Sequence, residues 1–257
     1  MLYNEYLDRI AYLKDKYDFL EIRNIGSSVM GRDIFCIEYG DGARKVQLVG
    51  QHHGMEHVSC YSCFRFLEDL CKANISYENT KLFIIPCINP DGAEMQLRGG
   101  EYFYNWQANA RGVDLNHNYD ALWHHILPEP GPTRFGGRHP FSEPETQIMR
   151  KEAYCNNFDR VLALHSQGEE IYYDFNDIHI NCAEELAKRM SEVSGYTLAQ
   201  PEKIAIGGGY KDWFIKEFGS IGMTIELGKG ENPLHVSEFE TIYKKAKPAL
   251  EIFCNFL

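Results

Sequence analysis

Residues 45–57 read KVQLVGQHHGMEH, so that a short apolar run leads directly into a cluster of polar residues. The run from Val46 to Val49 predicts a buried β-strand. His53 and Glu56 follow this strand and lie three residues apart. Because imidazole nitrogen and carboxylate oxygen are both zinc ligands, the two side chains could face one metal ion. Open α/β sheets bind their ligands at the carboxyl ends of their strands, so the stretch predicts such a sheet with a metal site at its edge.

Two further strand ends carry polar residues of the right chemical type. His165 follows the apolar run 161–164, and Glu226 ends the run 223–225. A catalytic zinc ion has three protein ligands and one open position. We therefore predict that His53, Glu56 and His165 bind one Zn²⁺ ion and that Glu226 is a catalytic carboxylate. In an otherwise apolar run, a carboxylate without a function would be costly.

The composition limits the class of protein. The chain has 257 residues, 44% of them hydrophobic, and a net charge of −11. An acidic chain argues against a nucleic-acid or anionic-membrane partner, because both require a basic surface. No run of 18 apolar residues predicts a membrane span, and the polar start 1–6 does not resemble a signal peptide. With eight cysteines placed mostly in helix or strand patterns, we expect free thiols in the cytoplasm.

Hydrophobic periodicity predicts one domain over residues 1–257. It is an α/β fold, with a mixed, mostly parallel β-sheet and helices on both faces. Asn89-Pro90-Asp91-Gly92 reads as a turn, residues 92–141 as a long irregular region, and Ser142-Glu143-Pro144-Glu145 as a helix start with a capping box. The expected strands are 19–25, 33–38, 45–50, 82–88, 160–164 and 223–226, and the expected helices are 2–17, 58–73, 181–194, 210–218 and 236–256.

Several motifs together resemble those of the zinc metallocarboxypeptidases, the carboxypeptidase A-like superfamily. They occur in the order of that superfamily and cover essentially the whole chain: 51–56, 89–92, 112–116, 164–166 and 224–227. The segments 106–116, 142–146 and 228–233 resemble one bacterial branch, the γ-D-glutamyl-L-diamino acid peptidases of cell-wall peptide metabolism. The resemblance implies a zinc peptidase that acts on a peptide or on a muropeptide.

Roles follow from the resemblance where the motifs match. His53, Glu56 and His165 would bind the zinc ion, and Asp114 would accept the second imidazole N–H of His53. Glu226 would be the general base, which takes a proton from the attacking water and passes it to the leaving amine. A cation would stabilise the oxyanion. Arg111 and Arg98 are both candidates for that cation, and Arg111 has the better local match.

The chain departs from the superfamily where substrate is bound. Many relatives have Asn-Arg to hold a terminal carboxylate, whereas this chain has Asn116-His117. Histidine lacks the charged fork of arginine, which puts ordinary C-terminal trimming in doubt. Lys211 occupies a specificity position of the relatives and would favour an acidic group such as the distal carboxylate of diaminopimelate; alternatively, it extends to solvent. The mobile tyrosine of relatives has no clear counterpart: Ile204 lies near its place, and Tyr210 could substitute.

The sequence therefore predicts a zinc peptidase that hydrolyses the γ-D-Glu to meso-diaminopimelate amide, or that of a related L-diamino acid, in peptidoglycan stem peptides. Three alternatives remain open: an ordinary metallocarboxypeptidase, an N-acyl amino acid deacylase, and a binding module with an inactive zinc site. Other histidines are expected near the site or in loops: His52, His57, His124, His125, His139, His179 and His235.

Overall fold

The computed structural model describes residues 1–124, 126–200 and 207–256. Eight strands are found there: β1 (Glu21–Ser27), β2 (Asp33–Tyr39), β3 (Arg44–Gly50), β4 (Thr80–Ile85), β5 (Arg160–His165), β6 (Glu170–Tyr172), β7 (Thr197–Leu198) and β8 (Ile221–Glu226). Seven α-helices accompany them: α1 (Tyr3–Lys16), α2 (His57–Ala73), α3 (Pro90–Arg98), α4 (Pro144–Asn156), α5 (Ala183–Ser194), α6 (Tyr210–Phe218) and α7 (Phe239–Asn255).

The strands form one mixed sheet in the order β1-β2-β4-β3-β5-β8-β6-β7. The central strands β4, β3, β5 and β8 are parallel to one another. The hairpin β1–β2 continues the sheet antiparallel to β4, and β6 pairs antiparallel with β8 on the other side. The mixed, mostly parallel sheet predicted from the sequence is therefore confirmed. The short strands β6 and β7 were not predicted, because three and two residues are too few to show a period.

Helices cover both faces of the sheet, as predicted. Leu162 and Leu164 of β5 belong to one apolar core, which they share with residues of α1, α2, α5 and α7. Val161 and Ala163 alternate with them and belong to a second core, shared with residues of α4 and α6. A strand that is apolar on both sides needs two such layers, since successive side chains point to opposite faces.

The segment Asn89-Pro90-Asp91-Gly92 begins a helix, and the prediction of a turn was wrong. Asn89 is the N-cap of α3, and its Oδ1 accepts a hydrogen bond from the Gly92 N–H at 2.9 Å. Pro90 occupies the first helical position, where its missing N–H costs nothing. The same residue types favour turns and helix starts, so only the contacts of α3 decide between them. The irregular region accordingly starts after Arg98, and it contains two single 3₁₀ turns, Glu101–Phe103 and Leu115–His117.

Helix α4 begins where predicted, but without a capping box. Its N-cap is Glu143, and the Ser142 hydroxyl donates to Glu143 Oε1 at 2.8 Å. The Glu145 carboxylate instead accepts from the Val29 N–H at 3.0 Å and from Asn109 Nδ2 at 3.3 Å. Tertiary partners thus replace the local cap.

Most of the cysteines lie in the core of the protein. All eight cysteines are free, and six of them are buried, including Cys60 and Cys63 in α2. In the described part of the chain, no helix is both long enough and apolar enough to span a bilayer.

Candidate metal centre

The loop after β3 has an unusual backbone shape, which hydrogen bonds of Gln51 and a close approach at Gly54 hold in place. Gln51 has a positive φ of 54°, its N–H donates to Ser59 Oγ at 2.9 Å, and its Nε2 donates to the Gly54 carbonyl at 3.1 Å. At Gly54, a Cβ atom would lie 2.5 Å from the backbone of Gly92. Glycine is therefore required where this loop meets the start of α3.

This loop brings His53 and Glu56 together with His165 at the end of β5. Glu56 Oε1 lies 2.8 Å from His53 Nδ1, and Glu56 Oε2 lies 2.9 Å from His165 Nδ1. The three potential ligand atoms all lie within 4.8 Å of one another. Burial alone would raise the pKa of Glu56, but the two imidazoles lower it. Two imidazoles and an ionised carboxylate that converge in this way fit a zinc ion, because they supply the three protein ligands of a catalytic site.

Asp114 orients the first of these imidazoles. Its Oδ1 lies 3.2 Å from His53 Nε2, on the ring edge opposite the Nδ1 that faces Glu56. The carboxylate also accepts from the backbone N–H groups of Asn116 at 3.1 Å and Arg134 at 2.9 Å. Burial would raise the pKa of Asp114, but His53 and His117 lower it. An ionised partner on Nε2 leaves Nδ1 free to bind a metal.

His52 supports the second imidazole from one side. Its ring stacks on that of His165 at 5.5 Å with an interplanar angle of 19°, and its Nε2 lies 3.0 Å from the Tyr119 hydroxyl. Burial, together with the neighbouring His165 and His53, lowers the pKa of His52, so the ring is neutral at pH 7. His57 is also buried, and it contacts Gln51 and Gln96. The sequence predicted that His52 and His57 flank the site, but it did not indicate which residues they contact.

Glu226 ends β8 beside the triad. It pairs in register with His165 of β5 on one side and with Glu170 of β6 on the other. Burial raises the pKa of Glu226, and the nearby carboxylates of Glu56 and Glu170 raise it further, although His53 opposes them. The sequence did not indicate that Glu170 lies beside Glu226, because the strand that positions Glu170 is only three residues long.

The predicted substrate residues Asn116 and His117 lie next to Asp114. Asn116 Oδ1 accepts from the Tyr210 N–H at 3.1 Å, and His117 Nδ1 lies 2.9 Å from the Gly207 carbonyl oxygen. These contacts tie the loop to the start of α6. Tyr210 itself is buried, and its hydroxyl donates to Gln47. Ile204, the other candidate for the mobile tyrosine's place, lies outside the described residues, as does His125.

The three predicted cations lie farther out or are already paired. Lys211 is only 7% exposed, its Nζ lies 2.5 Å from Asp212 Oδ1, and it donates to the Asp174 carbonyl at 2.5 Å. The Arg98 side chain is 59% exposed and pairs with Glu94 at 2.5 Å. The Arg111 side chain is 56% exposed and lies 3.4 Å from Glu143. Their roles in oxyanion or substrate binding stay predictions.

Comparison with known proteins agrees with this site. Residues 3–249 match the family described as zinc carboxypeptidase. Gamma-D-glutamyl-L-diamino acid endopeptidase 1 of Lysinibacillus sphaericus is 32% identical over 277 residues, which cover 95% of this chain and 69% of that protein. The uncharacterized protein YqgT of Bacillus subtilis is 31% identical, with 91% of this chain and 72% of that protein covered.

Solved structures share the fold. Bovine thrombin-activatable fibrinolysis inhibitor, in complex with tick carboxypeptidase inhibitor, superposes with a TM-score of 0.85 at 18% identity, covering 99% of this chain and 96% of that one. Murein-tripeptide amidase MpaA from Escherichia coli O157 superposes with a TM-score of 0.64 at 20% identity, covering 89% of this chain and 90% of that one.

Proposed function

The chain belongs to the zinc carboxypeptidase family and is a zinc metallopeptidase, and we propose that it cleaves peptidoglycan stem peptides. The bond is the amide between γ-D-Glu and meso-diaminopimelate or another L-diamino acid. The observation that carries this proposal is the 32% identity to an enzyme named for that specificity, which extends over 95% of this chain.

The site residues would divide the chemistry between them. His53, Glu56 and His165 would hold the zinc ion, which supplies a Lewis acid that polarises the amide carbonyl and activates water. Glu226, at the end of β8, accepts the water proton on its carboxylate and delivers it to the leaving amine. Asp114 keeps His53 in the tautomer that leaves Nδ1 unprotonated. Arg111 and Arg98 remain the candidates for oxyanion stabilisation.

The pair Asn116-His117 supports a substrate other than an ordinary C-terminal peptide. The two parallel N–H groups of an arginine bind a terminal carboxylate best, because they donate to both of its oxygens. His117 offers no such fork, and its Nδ1 lies against the Gly207 carbonyl. Recognition would therefore rest on other parts of the substrate, such as the γ-linked D-Glu or the diamino acid side chain. A cytoplasmic role in muropeptide turnover stays a prediction, supported by eight free cysteines.

Mass spectrometry of two matched peptides tests the proposal. L-Ala-γ-D-Glu-meso-diaminopimelate and a control of the same composition with ordinary α-linkages are each incubated with zinc-loaded protein. We expect free diaminopimelate from the γ-linked peptide and little release from the control. Cleavage of the α-linked control alone would instead identify an ordinary metallocarboxypeptidase, and cleavage of neither would contradict the assigned substrate class.

A further inference from the structure

Three polar side chains form a row across neighbouring strands at the metal edge of the sheet. His165 of β5, Glu226 of β8 and Glu170 of β6 are register partners in turn. Residues directly opposite each other in adjacent strands point to the same face, with Cβ atoms about 4.5–5.5 Å apart in an antiparallel pair. Glu170 therefore lies on the same face as the predicted base Glu226 and next to it.

Glu170 carries a negative charge that no cation of the described chain matches. Its neighbour Glu169 pairs with Lys245 at 2.5 Å and Lys229 at 3.3 Å. Glu170 has no ion pair within the three described ranges, and the Tyr172 hydroxyl donates to its Oε2 at 2.5 Å. This hydrogen bond fixes the carboxylate without neutralising it. Two adjacent, partly buried carboxylates repel each other unless one of them holds a proton or a cation lies between them.

The place of Glu170 also identifies which part of a substrate it would meet. Glu226 would return its proton to the leaving amine, so the leaving amino acid would lie within reach of Glu226. Glu170 lies next to Glu226 on the side away from the metal ligand His165, where it could meet that amino acid. A diamino acid carries a second amine, which is protonated at neutral pH. Lys211 cannot compete for this carboxylate, because its charge is already matched by Asp212 at 2.5 Å.

We propose that Glu170 is a specificity residue that binds the protonated side-chain amine of the diamino acid on the leaving side of the cleaved bond. This inference rests on the proposed function, since it names the group by which that substrate is recognised. It also explains how the site could select diamino acids although His117 stands where many relatives have arginine.

The test compares leaving residues that differ only in the side-chain amine. L-Ala-γ-D-Glu-L-Lys and L-Ala-γ-D-Glu-L-norleucine are given to wild type and to Glu170→Gln, which removes the charge and keeps the shape. We expect wild type to favour the lysine peptide in kcat/KM by about tenfold or more, the size of a partly desolvated ion pair. In Glu170→Gln this ratio should fall close to one.

Two control variants separate charge from structure. Glu169→Gln removes a neighbouring carboxylate whose charge is already matched, and it should keep the wild-type ratio. Tyr172→Phe removes the hydrogen bond but keeps the Glu170 charge, so most of the preference should remain. A change in folding would lower both rates together without moving their ratio, which circular dichroism would also reveal.

The outcomes distinguish this inference from the proposed function. A wild-type ratio near one, or a Glu170→Gln variant that keeps the wild-type ratio, overturns the role of Glu170. If only α-linked peptides are cleaved, the proposed function fails, and L-Ala-L-Ala-L-Lys against L-Ala-L-Ala-L-norleucine then decides on Glu170 in the same way. If no peptide is cleaved, calorimetric affinities of zinc-loaded protein for the γ-linked lysine and norleucine peptides give the deciding ratio.

Discussion

Replacing Asp114 by asparagine tests how the metal centre is oriented. The Asp114 carboxylate lies 3.2 Å from His53 Nε2 and accepts the backbone N–H groups of Asn116 at 3.1 Å and Arg134 at 2.9 Å. All three neighbours are donors when His53 binds metal through Nδ1. Asparagine replaces one acceptor oxygen with an NH₂ group, so at least one of these donors would then face another donor.

The expected loss of zinc affinity follows from the negative charge of the acceptor that is removed. A hydrogen bond to a charged group contributes about 1.5–3 kcal/mol. Since 1.4 kcal/mol is about tenfold in an equilibrium constant, Asp114→Asn should weaken zinc binding by about 10–100-fold. The same range is typical for changes to groups that hold metal-bound histidines.

Zinc affinity is measured by competition with a chromogenic chelator, alongside the free energy of unfolding in urea. Asp91→Asn is the matched control, because Asp91 is also fully buried and pairs with Arg32 at 2.7 Å, but it has no contact with the triad. That variant should lose stability and keep zinc affinity within about twofold, the change expected when no interaction with the metal ligands is lost. An Asp114→Asn variant with wild-type zinc affinity would refute the assigned orientation of His53.

Three further predictions concern stability. Burial raises the pKa of Glu145 to about 7, so the folded state keeps a proton that the unfolded chain loses near 4.5. Between pH 4.5 and 8, the free energy of unfolding of the wild type should therefore fall by about 3 kcal/mol relative to that of Glu145→Gln. Urea titrations measure both curves, and parallel curves would contradict the prediction. Leu164→Ala, at a fully buried position beside His165, should cost about 2–5 kcal/mol in the same assay, whereas Leu97→Ala on the exposed side of α3 should cost under about 0.5 kcal/mol. Free zinc at about 1,000 times its dissociation constant should stabilise the protein by about 4 kcal/mol, and an equal melting temperature with and without a chelator would exclude a site built in the folded state.

Much of the fold and the convergence of the candidate metal ligands could be predicted because they depend on local patterns. The central strands are mostly apolar, and each predicted ligand or base follows such a strand or ends it. Parallel strands bring their carboxyl ends to one edge, so His53, His165 and Glu226 had to lie close together once the strands were recognised. Helices α1, α2 and α6 were predicted within one residue of their observed bounds for the same reason, whereas α5 and α7 begin two and three residues after their predicted starts.

Features that depend on tertiary contacts could not be predicted in this way. Nothing local shows that Lys211 is buried and donates to the Asp174 carbonyl, or that His52 stacks on His165. Asn89-Pro90 is equally typical of a turn and of a helix start, and the packing of α3 against the loop after β3 decides between the two. Glu170 was missed because its strand takes its register from β8, which lies far away in the sequence.

Glu226→Gln separates the two parts of the proposed mechanism, in which His53, Glu56 and His165 hold zinc and Glu226 transfers the proton. Zinc content by atomic absorption and kcat on the peptide that wild type cleaves are measured on the same preparation. We expect about one zinc ion per chain and a loss of about 10²–10⁴-fold in kcat. A variant that keeps both its zinc and wild-type turnover would contradict this mechanism.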